Sequence, residues 1–168
     1  TLVLDSSTFE SNTATQRGGG IMAHGGGSIV VVASQSSSLI LRNVAYLYGG
    51  GVYLQDQGTR LDVSGSGTQM VVSGNTAEQA GGGVFAFTAS SITVSSGARM
   101  DVINNTAADL HGGGVYLQDQ DTRLVVSDSG TQMVVSGNTA EQRGGGVCAF
   151  SASSITVSSG ARMDVINN

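Results

Sequence analysis

A Gly-Gly-Gly triplet recurs through this chain at nearly constant spacing, and an Asn precedes each triplet. The triplets begin at Gly18, Gly49, Gly81, Gly112 and Gly144. The Asn column comprises Asn12, Asn43, Asn75, Asn105, Asn138 and Asn168. A period of this size indicates stacked repeats that bury their apolar faces against one another. Because such a solenoid repeats one surface along an axis, we expect this chain to span a distance, to pack against other molecules or to bind them.

The period has a second level, since residues 49–105 and 112–168 are near-copies in which Gly49 corresponds to Gly112. They differ at six pairs: Gly58/Asp121, Asp62/Val125, Gly65/Asp128, Ala80/Arg143, Phe85/Cys148 and Thr88/Ser151. One unit therefore comprises two turns, and we predict one continuous solenoid segment of about five turns over residues 1–168. The sequence starts and stops within a turn and has no polar cap at either end, so we expect it to be a piece of a longer array.

Each period contains three short strand-forming segments. In the second period these are residues 52–54, 60–63 and 70–72, and turns rich in Gly, Ser and Asn separate them. No segment has the periodicity of a helix. The pattern predicts an all-β fold, a single-stranded right-handed parallel β-helix with about 31–32 residues and three strands per turn. The right hand follows from the usual crossover rule.

Alternation along the strands assigns an inward and an outward face. The predicted inward residues are Leu61, Val63, Ile92, Val94, Leu124, Val126, Ile155 and Val157, with Phe9, Ile40, Val72, Val102, Val135 and Val165, and with Met70, Met100, Met133 and Met163. Asp62 occupies an outward position that Val125 holds in the other copy. Asp101 replaces Val71 at another outward position. Because an unpaired buried carboxylate costs several kcal/mol, we expect both aspartates on the solvent face.

Three features of the sequence have a structural explanation that competes with a functional one or replaces it. Tyr53, Phe85 and Tyr116 face outward one turn apart, and they form either a candidate contact stripe or a simple stack that shields the sheet. The Asn column has a sufficient structural explanation, because side chains one turn apart, roughly 4.8 Å, can hydrogen-bond in a ladder. Asn104 lies in an Asn-Asn-Thr sequon, and it is either a candidate N-glycosylation site or an unmodified turn residue.

Two short motifs give this chain a family resemblance. Phe9-Glu10-Ser11-Asn12, followed by Gly18-Gly19-Gly20-Ile21, resembles the paired Phe-x-x-Asn and Gly-Gly-Ala-Ile motifs of the polymorphic outer-membrane protein repeats of chlamydiae. Related repeats occur in large secreted or surface proteins, and the wider class is the pectate-lyase-like right-handed parallel β-helix. The resemblance implies that handedness, and it implies an extracellular or surface passenger that is adhesive or structural.

The sequence offers few residues that could catalyse a reaction or bind a metal ion. No pair of acids has a local spacing that suggests an acid and a base. His24 and His111 are predicted on different corners without a third metal ligand. The single Cys148 has no partner for an intrachain disulfide. We therefore expect no enzyme activity, no cofactor and no metal.

Composition and apolar run length exclude two kinds of partner. The net charge is −5 and the chain has neither Lys nor Trp, so it lacks the basic stripe and stacking platform of a nucleic-acid binder. The longest apolar run, residues 29–33, is too short to span a bilayer, and we expect no membrane insertion by this segment.

These observations favour a non-catalytic extracellular or cell-surface β-solenoid, a rigid spacer or filament element that presents a repeated surface. The expected partners are other protein chains, further turns of the same chain, extracellular matrix or glycans. The alternative is a carbohydrate-binding or carbohydrate-active β-helix whose active turns lie outside this segment. Ice binding would require a flat Thr array, whereas the outward columns mix Asp, Thr and Val.

Overall fold

The computed structural model of the protein describes residues 1–32 and 37–168, so Ala33, the last residue of the longest apolar run, lies outside the described residues. The strands, in chain order, are β1 (Leu2–Asp5), β2 (Thr8–Glu10), β3 (Thr13–Ala14), β4 (Ile21–Ala23), β5 (Ser28–Val32), β6 (Ser38–Leu41), β7 (Val44–Ala45), β8 (Val52–Gln55), β9 (Arg60–Ser64), β10 (Gln69–Ser73), β11 (Thr76–Ala77), β12 (Val84–Phe87), β13 (Ser91–Ser95), β14 (Arg99–Ile103), β15 (Thr106–Ala107), β16 (Val115–Gln118), β17 (Arg123–Val126), β18 (Gln132–Ser136), β19 (Thr139–Ala140), β20 (Val147–Phe150), β21 (Ser154–Val157) and β22 (Arg162–Ile166).

The strands form four parallel sheets that run along one solenoid. The first sheet has the order β1-β5-β9-β13-β17-β21, and the second has the order β2-β6-β10-β14-β18-β22. The third sheet contains two-residue strands in the order β3-β7-β11-β15-β19, and the fourth has the order β4-β8-β12-β16-β20. Each strand pairs with its equivalent one turn away, which confirms the predicted all-β parallel solenoid of about five turns.

The structure adds one element to the predicted turn. Three longer strands occupy the predicted segments, and a fourth strand of two residues follows each ladder Asn from Asn12 to Asn138. Thr76–Ala77 is such a strand, although the sequence pattern predicted only three strands per turn, with the last of this turn at residues 70–72. Its residues pair in register with Thr106 and Ala107 of the next turn. A strand of two residues is too short to show alternation, which is why the sequence pattern did not predict it.

The core is one column of apolar side chains inside the coil. Leu61, Val63, Met70 and Val72 of one turn are each 0% exposed. Their register partners in the next turn are Ile92, Val94, Met100 and Val102, also 0% exposed. The two-residue alternation of these strands therefore places apolar side chains inside and polar ones outside, as predicted.

The strands of the last turn keep their register with the previous turn, but their inward side chains are exposed. Ile155 and Val157 align with Leu124 and Val126, yet they are 40% and 45% exposed. Val165 aligns with Val135 and is 49% exposed. These residues were predicted to lie inside. They are open because no later strand among the described residues stacks on them.

Glycine is required in the triplets for two separate reasons. Gly81, the first of its triplet, has φ +67°, a conformation that side chains disfavour. At Gly82, the second, an added Cβ would lie 2.4 Å from the carbonyl oxygen of Thr106 in the next turn. The third sheet therefore packs closely against the triplet backbone, and any side chain at the second position would separate them.

None of the described residues is in a helix, and so none of them forms a helix of the length and apolarity needed to cross a membrane.

Candidate functional site

The Asn column forms a continuous hydrogen-bonded ladder along the axis. Each Asn side chain donates from Nδ2 to Oδ1 of the next Asn, at 2.9 Å from Asn12 to Asn43, 3.0 Å from Asn43 to Asn75 and 2.9 Å from Asn75 to Asn105. The same contact joins Asn105 to Asn138 at 2.9 Å and Asn138 to Asn168 at 2.8 Å. All these bonds run in one direction along the chain.

Each inner Asn also serves the backbone. Oδ1 of Asn105 accepts the main-chain N–H of Asn75 at 2.9 Å, and Nδ2 of Asn105 donates to the carbonyl oxygen of Val72 at 3.0 Å. The side chain thus makes four hydrogen bonds while it is fully buried. Since buried polar groups require partners, the ladder holds the turn that follows each strand of the second sheet. Every hydrogen-bonding group of the inner Asn side chains is already paired, so the ladder is a structural element.

The aromatic stripe, which we define as Tyr53, Phe85 and Tyr116, lies on the outer side of the fourth sheet. The three residues occupy one register column. The ring centroids of Tyr53 and Phe85 are 5.3 Å apart with an interplanar angle of 18°, and those of Phe85 and Tyr116 are 5.1 Å apart at 40°. These separations favour stacked and tilted ring pairs.

Of the two roles predicted for this stripe, burial favours the stack that shields the sheet over the contact surface. Tyr53, Phe85 and Tyr116 are only 2%, 3% and 5% exposed, so they do not form an exposed contact surface. A neighbouring column covers them, which we call the flanking column: Arg17, Tyr48, Ala80, His111 and Arg143. The stripe and Ala80 form a second buried cluster outside the main core, against which Tyr48, Phe87 and Cys148 pack.

The flanking column brings a cation and further rings onto the stripe. The Arg17 guanidinium carbon lies 5.5 Å from the Tyr53 ring centroid and 6.0 Å from that of Tyr48. The ring centroids of Tyr48 and Phe85 are 4.9 Å apart, and those of His111 and Tyr116 are 5.9 Å apart. Arginine over aromatic rings is a favourable cation–π arrangement. The face therefore combines aromatic surface with positive charge in a chain whose net charge is negative.

Burial shifts the acid–base behaviour of this face. Burial raises the pKa of Tyr53, and the positive charge of the nearby Arg17 partly offsets this rise. Burial also raises the pKa of Tyr116, and Cys148 adds to that shift. The pKa of the Cys148 thiol is raised by burial as well, although Arg143 opposes the shift. All three groups are therefore held in their neutral form, and the thiol lacks the lowered pKa of a reactive cysteine.

Two of the six differences between the copies fall on this face. Ala80 and Phe85 of the first copy become Arg143 and Cys148 in the second. A small flanking residue beside a large ring is thus exchanged for a large flanking residue beside a small side chain. Arg143 is exposed and Cys148 is half-buried, so the buried Phe85 ring of the first copy has no equivalent at this end of the stripe.

The outer face of the second sheet carries an Arg–Asp pair that repeats between the copies. Arg99 and its equivalent in the second copy, Arg162, donate from Nε to Asp101 at 2.9 Å and to Asp164 at 2.8 Å. Asp101 was predicted on the solvent face. It does face outward, but it is 4% exposed because Arg99 and Gln69 cover it, and Nε2 of Gln69 donates to its Oδ2 at 2.9 Å. The carboxylate is buried but paired, so the predicted penalty does not apply.

The other residues singled out from the sequence lie apart from one another. Asn104 is exposed at φ +55° in the turn before the ladder, and its glycosylation stays a prediction. Cys148 is a free, half-buried thiol. His24 is exposed in the turn after β4, whereas His111 belongs to the flanking column. Among residues 1–32 and 37–168, no group of three or more His, Cys, Asp or Glu side chains is placed to hold a metal ion.

Sequence reasoning missed Arg17 and Tyr48 as neighbours of the stripe. A signal was available, because every member of the flanking column is the residue directly before a Gly triplet. The chemical variety within that column concealed it, since Arg, Tyr, Ala and His do not look like equivalents.

Comparison with known protein families finds a match to part of the chain. Residues 6–30 match the Chlamydia polymorphic membrane protein (Chlamydia_PMP) repeat. This range contains the Phe-x-x-Asn motif at residues 9–12 and the first Gly triplet, and it confirms the resemblance predicted from those motifs. No curated protein and no solved structure matches the chain. The repeats are therefore similar to those of polymorphic membrane proteins, and they are built as turns of a parallel β-solenoid.

Proposed function

We propose that this chain is a non-catalytic structural β-solenoid at the cell surface or outside the cell, where it acts as a rigid spacer or filament element. The observation that carries this proposal is the uninterrupted Asn ladder, which joins the first described turn to the last. A rod whose interior is hydrogen-bonded and packed at every turn fixes the distance between its two ends. Similarity to a membrane-protein repeat supports the surface location.

The outer surface supports presentation to other chains or to a matrix. The Arg–Asp pair at positions 99 and 101 recurs at positions 162 and 164, and the intervening turn places Gln132 and Val134 in the same columns. A partner that contacts this face therefore meets the same chemistry every two turns. Repetition of one weak contact along a rigid axis raises overall avidity without any strong single site.

Length variants test the spacer proposal directly. We expect each additional two-turn unit to lengthen the rod by roughly 10 Å, since each turn adds about 4.8 Å. Small-angle X-ray scattering of chains with zero, one and two added units measures this increment. A maximum dimension that fails to grow linearly would show that the units do not stack as one rod.

A second assay separates this proposal from a carbohydrate-active function. The chain is incubated with a panel of acidic and neutral polysaccharides, with and without calcium, and released reducing ends and unsaturated products are measured. We expect no turnover in either condition. Turnover of any glycan above that of a heat-denatured control would overturn the non-catalytic proposal, even if the rod lengthened as expected.

A further inference from the structure

A cavity of about 190 Å³ opens beside the aromatic stripe. It is lined by Arg17, Tyr48, Tyr53, Phe85, Phe87 and Gln118. An apolar cavity of about 150 Å³ is large enough to bind benzene, so one small ring fits here. Four of the six lining residues are aromatic, which suits a flat apolar body held by ring stacking.

The cavity has one cation at its wall. Four arginines of the described chain form ion pairs with Glu10, Asp62, Asp101 and Asp164. Arg17 forms no ion pair with any described residue. Its Nη1 donates to Oε1 of Gln55 at 3.2 Å, and its buried Nε has no hydrogen-bond partner among the described groups. An anion beside this guanidinium would supply the missing acceptor in a charge-assisted hydrogen bond.

The hydrogen-bonding capacity of the remaining wall is small. Tyr53 is already committed, because its hydroxyl donates to Oε1 of Gln55 at 2.9 Å. Gln118 is half-buried and makes no side-chain hydrogen bond within the described residues. The free Gln118 amide can pair with one polar group of a ligand, whereas a sugar ring carries several hydroxyl groups that each need a partner. The arrangement favours a ligand with one charged group on an otherwise apolar ring.

We propose that this cavity binds a small aromatic carboxylate, with the ring against the half-buried side chains of Tyr48 and Phe87 and the carboxylate at Arg17. The site is separate from the spacer role, since it uses the outer side of the fourth sheet and leaves the ladder intact. One two-turn unit further along the chain there is no equivalent, because Ala80 stands in the place of Arg17, His111 in that of Tyr48 and Cys148 in that of Phe85. The site therefore occurs once in the part of the chain that the structure describes.

Ligand-observed NMR on the 168-residue chain tests the site with benzoate as the probe. We expect saturable binding with a dissociation constant on the order of 1 mM, as is typical of a ligand this small. Benzamide has the same shape without the charge and should bind about tenfold more weakly, since a hydrogen bond to a charged group is lost. Glucuronate carries the charge on a hydroxylated ring and should not saturate.

Matched variants assign the charge preference to one arginine. Arg17→Gln should abolish the tenfold preference for benzoate over benzamide, and Arg17→Lys should restore part of it. Arg143→Gln changes an exposed arginine of the same flanking column and should leave the preference intact. Phe85→Cys installs the residue of the other copy and should weaken both ligands alike.

Three results would overturn the assignment. These are an absence of saturable benzoate binding, equal losses from the Arg17→Gln and Arg143→Gln variants, and glucuronate binding as tight as that of benzoate. Circular dichroism establishes that each variant is folded. If Arg17→Gln does not fold, the comparison of benzoate with benzamide on the unmodified chain still decides whether the charge is recognised.

Discussion

Removing one inner rung of the Asn ladder should destabilise the protein far more than removing its outermost rung. Asn105→Ala deletes four hydrogen bonds of a fully buried side chain. It leaves the main-chain N–H of Asn75 without a partner in a dry interior, because that N–H donates to Asn105 alone among the described residues. Asn12→Ala deletes one side-chain bond, which runs from an exposed residue to Asn43.

The expected magnitudes follow from these partners. An orphaned buried donor costs about 1–3 kcal/mol, and each bond lost by a group that keeps another partner costs about 0.5–1 kcal/mol. Asn105→Ala should therefore lower the free energy of unfolding by roughly 4 kcal/mol, and Asn12→Ala by about 1 kcal/mol or less. For a chain of this size, a loss of about 4 kcal/mol corresponds to a fall in Tm of roughly 10 °C.

Thermal and urea unfolding, followed by circular dichroism, measure both variants against the unmodified chain. Amide hydrogen exchange adds a local readout, because the amide of Asn75 should lose its protection in Asn105→Ala and keep it in Asn12→Ala. Equal losses of stability from the two substitutions would refute the reasoning, since the expected difference comes from burial and from the orphaned N–H.

Two matched pairs of substitutions and one single substitution test other features of the fold. Val72→Asp places a charge in the dry core and should prevent folding or cost several kcal/mol, whereas Val125→Asp restores an aspartate that the other copy tolerates and should be nearly neutral in urea unfolding. Gly82→Ala should cost several kcal/mol through its backbone clash, whereas Gly67→Ala has open space and only a strained φ of +83°, so thermal melting should show a loss of about 1 kcal/mol. Burial raises the pKa of Tyr116 in the folded protein, so folding favours the neutral side chain. Its contribution to the free energy of unfolding is complete below the ordinary tyrosine pKa, about 10, and is lost as pH rises through the higher pKa of the folded state. Tyr116→Phe should therefore flatten the fall in stability above pH about 10, and an unchanged alkaline slope would contradict this.

The features that the sequence predicted are those that recur with a period. The spacing of the Gly triplets indicated the turn, and the alternation in segments such as residues 60–63 indicated which side chains enter the core. Both properties are local, because a strand places successive side chains on opposite faces wherever it lies. The same period aligned the Asn residues, and one turn of separation is the distance at which their side chains meet.

The features that the sequence did not predict depend on which side chains extend across the outer surface. Tyr53 and Asp101 both point away from the core, as predicted, yet both are buried. Long side chains from adjacent columns and turns cover them, Arg17 and Tyr48 in one case and Gln69 in the other. Alternation assigns a side chain to a face of its own sheet, but it does not indicate whether another side chain extends over that face.

The one-way direction of the Asn ladder makes the length of this protein an adjustable quantity. Every rung donates towards the C-terminal side, so any rung can follow any other, provided that a whole number of turns separates them. Loss of one two-turn unit would bring Asn43 next to Asn138 with donor and acceptor still matched. Unequal recombination between the two copies would therefore yield shorter or longer chains that keep their internal bonding. Selection could then alter the reach of the rod without having to invent a new interface.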